Sequence, residues 1–136
     1  MSYEENLRSI SFDADASIGI YTGVPGQPGS ASPNGGKQYC LVKLTGAHQV
    51  GLATAAGDVV LGVLQNKPQQ PGQAATVGYE GVTNVLSGGV IAAGDSLVSD
   101  ANGKAVKAGA TPSGGRRLIA IKPAAGANEL IPAMFV

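Results

Sequence analysis

One cysteine and one histidine in 136 residues exclude an internal disulfide and leave no Cys/His cluster for zinc. Cys40, inside "YCLVKL", therefore reads as a small buried hydrophobe, and assembly in a reducing cytoplasm suits it. Tryptophan is absent and aromatic residues make up 4 % of the chain, so platforms for stacking sugars or bases are few. Charge is scarce as well. Nine basic residues face nine acidic ones, and no basic surface is set aside for a phosphate backbone. No run of eighteen apolar residues exists, and the opening "MSYEENLRSI" lacks the basic and apolar regions of a signal peptide. These absences predict a soluble, non-secreted chain without nucleic acid, membrane, cofactor, metal or small-molecule substrate among its partners.

Turn formers are abundant instead. The 21 glycines and 8 prolines punctuate the chain every few residues and rule out long helices. Residues 1–22 contain loosely alternating "LRSISFDADASIGIYTG" and carry Glu4, Glu5, Asp13 and Asp15 against Arg8, so they read as an acidic, flexible N-terminal arm. Residues 23–38, "GVPGQPGSASPNGGKQ", cannot bury apolar surface and read as a Gly/Pro-rich loop or linker. Residues 39–136 form a single β domain on this reading. It comprises nine short runs: "YCLVKL", "HQVGLA", "DVVLGVLQ", "AATVGY", "GVTNVL", "SLVS", "KAVKA", "RLIAIK" and "ELIPAMFV". Each is rich in Val, Ile or Leu and bounded by Gly, Pro, Asn or Asp, as half-buried strands are. The predicted fold class is all-β: a compact barrel-like or sandwich domain of short strands with little or no helix. The one helical candidate, "LATAAGD", is too short to stand alone. Pro132 inside the last run predicts a sheet edge or a bulge.

Alanine supplies much of the apolar content, and small side chains bury little area each. Contact with other chains is the expected supplement.

The tetrapeptide Gly94-Asp95-Ser96-Leu97 is the one that names the GDSL esterases, in which the serine is a nucleophile. Such a serine needs a histidine, an orienting acid and oxyanion donors. Here no DxxH block follows Ser96, and the sole His48 precedes it on a predicted strand. The motif "AAGD" moreover occurs twice, at 55–58 and 92–95, and only the second copy is followed by serine. A turn explains both copies: Gly57 and Gly94 supply a positive φ, and Asp58 and Asp95 close the turn through a side-chain oxygen. Asn102-Gly103 then predicts a hairpin between "SLVSDA" and "KAVKAG", in the two-residue type I′ form such a pair favours, with the register left open. Arg116 and Arg117 in "SGGRR" read as a solvated loop or as salt-bridge donors to a neighbouring chain.

The block at 61–109, "LGVLQNKPQQPGQAATVGYEGVTNVLSGGVIAAGDSLVSDANGKAVKAG", resembles the capsid decoration, or cement, proteins of tailed bacteriophages. The layout of an arm before a compact β domain also parallels the lambdoid head-decoration proteins. The resemblance implies a non-enzymatic virion protein, made in the bacterial cytoplasm and seated as a homotrimer on the outer surface of the head. There it would lock neighbouring subunits of the major capsid protein. On that reading the arm is the candidate contact segment. Ile10, Phe12, Ile18, Ile20 and Tyr21 would fill pockets on a capsid sheet edge, and Glu4, Glu5, Asp13 and Asp15 would pair with basic groups. The alternatives are another assembly or binding module, such as a head-fibre base, a tail or baseplate component or a carbohydrate-binding β domain, and, last, an enzyme.

Overall fold

The computed structural model describes residues 7–18, 37–68, 70–109 and 117–136. Ten strands run in chain order: β1 (Arg8–Ala14), β2 (Leu41–Gly46), β3 (Gln49–Leu52), β4 (Gly62–Leu64), β5 (Ala74–Glu80), β6 (Val82–Gly88), β7 (Ser96–Ser99), β8 (Ala105–Lys107), β9 (Leu118–Ala120) and β10 (Ala127–Phe135). The described residues contain no helix. "LATAAGD" is the end of β3 running into a turn.

The strands close into two five-stranded barrels, ordered β1-β3-β2-β4-β5 and β6-β8-β7-β9-β10 around their circumferences. Adding five to each label of the first gives the second. The pairing senses agree too: β1–β3 and β6–β8 are parallel, and the other four contacts of each barrel are antiparallel. The chain is therefore a tandem of one topology, joined at Gly81, the single residue between β5 and β6. Its φ of 105° turns a corner that an L side chain resists.

The two "AAGD" copies do not mark this duplication. The first lies between β3 and β4, the second between β6 and β7, which correspond to β1 and β2 in the first barrel.

Two cores fill the molecule. Ala14, Ile18, Val42, Val50, Leu64, Ala75 and Val77 pack inside the first barrel, with Cys40 and Leu52 at its end. Val85, Ile91, Leu97, Ala105, Leu118, Ile131 and Ala133 make the second core, and Leu41, Ala53, Val60 and Val63 join it from the first barrel's side. The paired apolar residues Leu41-Val42 and Val63-Leu64 explain the join. Neighbours on a strand face opposite ways, so each pair sends one side chain into each core, and the start of β2 and the whole of β4 are buried on both faces.

Backbone bonds fasten the same seam. Tyr39 donates its N–H to Leu64 O at 2.7 Å and accepts from Leu86 N at 2.9 Å, bridging β4 and β6. Leu41 N donates to Gly103 O at 2.7 Å, so the tip of the β7–β8 hairpin rests on the start of β2. Ser99 Oγ lies 2.9 Å from Ala53 O and 2.8 Å from Asp100 O, sharing its proton between them.

Three expectations are corrected here. Residues 8–18 are not an arm: β1 pairs with β5 from Arg8 to Asp13 and with β3 at Asp13 and Ala14, and Ile18 is fully buried. Alternation in "RSISFDA" was a strand signal, hidden by the Gly/Pro-rich segment that separates it from its partners. Residues 39–136 accordingly do not close a β domain alone, since the first barrel needs β1. Pro132 sits neither at an edge nor in a bulge. β10 is paired on both sides, its register shift lies between Ala127 and Leu130, and Pro132 O accepts from Ile121 N at 2.9 Å. Ile121 is just past the end of β9, where a missing N–H breaks no strand ladder.

Candidate functional site

The described predicted contact residues all lie on β1 or just after it, but they take different roles. Ile10 is half-exposed on β1, and Phe12 packs on the first core with its ring 5.1 Å from that of His48. Asp13 is exposed on β1, and its backbone N–H donates to His48 O at 2.9 Å. Asp15 ends β1 by accepting from Ser17 N at 2.8 Å and from Thr45 Oγ1 at 2.8 Å, while Ser17 Oγ accepts from Leu52 N at 2.9 Å. Asp15 and Ile18 are thus committed to the fold. Glu4, Glu5, Ile20 and Tyr21 lie outside the described residues.

The turn residues behave largely as expected. Asp58 Oδ2 accepts from Ala55 N at 3.1 Å while Asp58 N donates to Ala55 O at 3.2 Å. Asp95 Oδ2 accepts from Ala92 N at 2.8 Å, and Asp95 N donates to Ala92 O at 3.1 Å. The reciprocal pair is the same in both copies. The first is more heavily bonded: Thr54 N donates to Asp58 at 2.8 Å and Lys43 Nζ at 2.9 Å. Those donors, the Thr54 N–H foremost, hold the Asp58 carboxyl below its ordinary pKa. A positive φ occurs at Gly94 (90°) but not at Gly57, where the turn closes without one.

The β7–β8 hairpin is one residue longer than the type I′ form. Ser99 pairs with Ala105, Asp100 N donates to Lys104 O at 2.9 Å, and Gly103 carries a positive φ of 76° whereas Asn102 does not. The loop is Ala101-Asn102-Gly103, and Asp100 Oδ1 caps it by accepting from Asn102 N at 2.8 Å and Lys104 N at 2.9 Å. With three loop residues, only the last, Gly103, takes left-handed backbone.

Ser96 opens β7 in the second barrel, and its Oγ accepts from Arg117 Nη2 at 3.1 Å. His48 is in the β2–β3 turn of the first barrel, against Phe12. The structure does not bring them together, and Arg116 lies outside the described residues.

Sequence reasoning missed a cleft at the junction of the barrels. It is a half-open groove of about 570 Å³. Lys37 and Tyr39 border it from the approach to β2, Lys67 from beyond β4, Lys104 from the β7–β8 hairpin, and Asn128 and Leu130 from β10. Two of the three described non-glycine residues with positive φ are on its rim, Tyr39 at 67° and Asn128 at 66°. Cys40 forms part of its wall, and burial, with a smaller push from the Asp100 carboxylate, raises the thiol to about 11 against the pull of Lys37 and Lys104. A thiol so protonated is a poor nucleophile. The lysines come from segments far apart in sequence, so no spacing betrays them.

A second surface lies on the outside of β9, β10 and β6. Leu130 and Met134 are largely exposed there, with Val82 and Ile119 opposite Met134 and Leu86 opposite Leu130.

No family model and no curated protein sequence matches this chain. Among solved structures it is similar to the N base of the head fiber protein gp8.5 of bacteriophage phi29, at a TM-score of 0.64 and 16 % identity. The match covers 96 % of this chain and 94 % of that one. The two share a fold. The likeness runs through nearly the whole length of both, so it takes in the tandem of barrels.

Proposed function

We propose that this protein is a structural component of a phage virion that binds the outer surface of the head. The observation that supports it is the shared fold, nearly end to end, with a head-fiber base. The chemistry of the surface is compatible: Ser96 and His48 stand apart, and the described residues gather no group of three His, Cys, Asp or Glu side chains suited to a metal. Its work on this reading is contact. The major capsid protein is the proposed partner, and a homotrimer is the proposed state. The outward half of β1, Arg8–Ser11 with Ile10 exposed, takes the role first given to the whole arm.

Two forms of the reading differ in consequence. As a head-fibre base, the favoured form given the shared fold, the protein anchors something else and leaves the shell as strong as before. As a cement protein it locks capsid subunits. Heads of the encoding phage that lack the protein decide both points. Purified protein should co-sediment with them, and failure to do so at micromolar concentration would refute head binding. Heating bare and loaded heads while following DNA release then separates the forms: an unchanged release temperature marks a base, a raised one a cement.

A further inference from the structure

The cleft between the barrels is lined by basic groups. Its described lining includes Lys37, Lys67 and Lys104 and no carboxylate. Lys104 Nζ donates at 2.6 Å to Asn128 Oδ1, a neutral group that orients the ammonium without cancelling its charge. Acids on the same segments are turned to other tasks. Asp100 Oδ1 caps its own hairpin, and Glu129 Oε2 accepts from Gly126 N at 2.7 Å.

The rim is also stiff. Left-handed backbone at a residue such as Tyr39 costs of the order of 1–3 kcal/mol and persists only where the surroundings over-determine it. Here the bonds to Leu64 and Leu86 do so. A charged site on a rigid frame loses little entropy when it binds.

We infer that this cleft receives an acidic peptide segment of the protein on which the molecule sits, two or more carboxylates meeting Lys37 and Lys104. The inference rests on the head-binding reading and names the chemistry of its partner. A peptide is favoured over nucleic acid because the chain as a whole has no net charge and few aromatic groups to stack on bases. Leu86 and Leu130 at the side of the cleft give an apolar shelf for the segment's backbone and side chains.

Hexaglutamate is a usable probe, titrated into the full chain at low salt and followed by amide chemical shifts. Binding should move the signals of Lys37, Lys104 and Asn102, weaken as salt rises, and weaken about five- to tenfold in the double variant Lys37→Gln/Lys104→Gln. Lys107→Gln, a charge outside the cleft, should leave it unchanged. Equal binding of hexaglutamine would overturn the inference, as would displacement by inorganic phosphate at equal carboxylate concentration, which would mark a site for free anions. Tighter binding in Glu4→Gln/Glu5→Gln would overturn it too, because the occupant would then be this chain's own N-terminal segment. Co-sedimentation keeps the two readings apart. If the parent binds heads and the double lysine variant binds equally well, the cleft is not the contact and head binding stands. If neither binds heads, head binding fails and hexaglutamate alone judges the cleft.

Discussion

Asp58 and Asp95 close the same four-residue turn with unequal means. Asp58 collects two backbone N–H groups and the Lys43 ammonium, whereas Asp95 takes one N–H and a distant Lys107 at 4.0 Å. Hydrogen bonds to a charged group contribute about 1.5–3 kcal/mol. Asp58→Asn should therefore cost about that much, and Asp95→Asn distinctly less, in urea denaturation at pH 7. The pH dependence follows from the sign of the shift. The folded carboxyl of Asp58 titrates below its unfolded value of about 3.9, so its contribution is complete above that pH and is lost as pH falls through the folded value. The gap between parent and Asp58→Asn should stay constant from pH 7 to about 5 and shrink below about 4. A gap that persists at the acid end would assign the loss to packing instead.

Glycines divide in the same way at this scale. A Cβ at Gly103 would meet Leu52 Cδ2 at 2.9 Å on a backbone with φ of 76°, while one at Gly57 would meet nothing within 4 Å. Gly103→Ala should cost about 1–3 kcal/mol by denaturation, because strain and collision coincide at the seam. Gly57→Ala should be neutral or stabilise by about 0.4–1 kcal/mol through the unfolded chain. The sequence motifs "AAGD" and "ANGK" look alike as turn signals. Only the structure shows that one glycine is pinned between barrels and the other faces solvent.

Among the elements, β1 carries the sharpest test. It closes the first barrel between β5 and β3, and Ala14 and Ile18 behind it are fully buried. Deleting residues 2–18 should therefore leave a chain that aggregates or unfolds well below the parent melting temperature. An arm would come off without effect. Hydrogen exchange gives the same answer without a deletion: the amides of Ile10 and Phe12 should be protected far beyond exchange in an unfolded chain, as those of β5 are. Each of the nine runs from Tyr39 onward became one strand, β2 to β10, because turn formers and apolar alternation act locally and leave their mark in a few residues. The tenth strand was visible as alternation but misplaced, since its partners are reached across the Gly/Pro-rich segment. Closure into two barrels was not legible, because matching strand order is a property of pairing and the two halves share topology without sharing words. The lysine cleft was hidden for the same reason: Lys37, Lys67 and Lys104 meet only after both barrels have formed and docked.

For the molecule as a whole, the question is whether two barrels mean two folding units. Leu41 and Val63 leave the first barrel's strands to lie wholly buried in the second core, and Gly103 from the second half seats on Leu41 of the first. Removing either half would expose those side chains, each worth about 1.5–3 kcal/mol of burial, in cores already built from small residues. The thin cores make that loss decisive. The expected outcome is one cooperative transition, with calorimetric and van't Hoff enthalpies equal, and fragments 1–80 and 82–136 unfolded when expressed apart. Leu41→Ala sharpens the test. It should cost about 2–5 kcal/mol, and native-state hydrogen exchange should show that cost equally at Gly51 and Leu52 in β3 and at Leu97 and Val98 in β7. Loss of protection in β7 alone would mean that the barrels melt separately. A single unit is what the cleft itself requires, because a cleft shaped by both barrels keeps its form only while neither can open without the other.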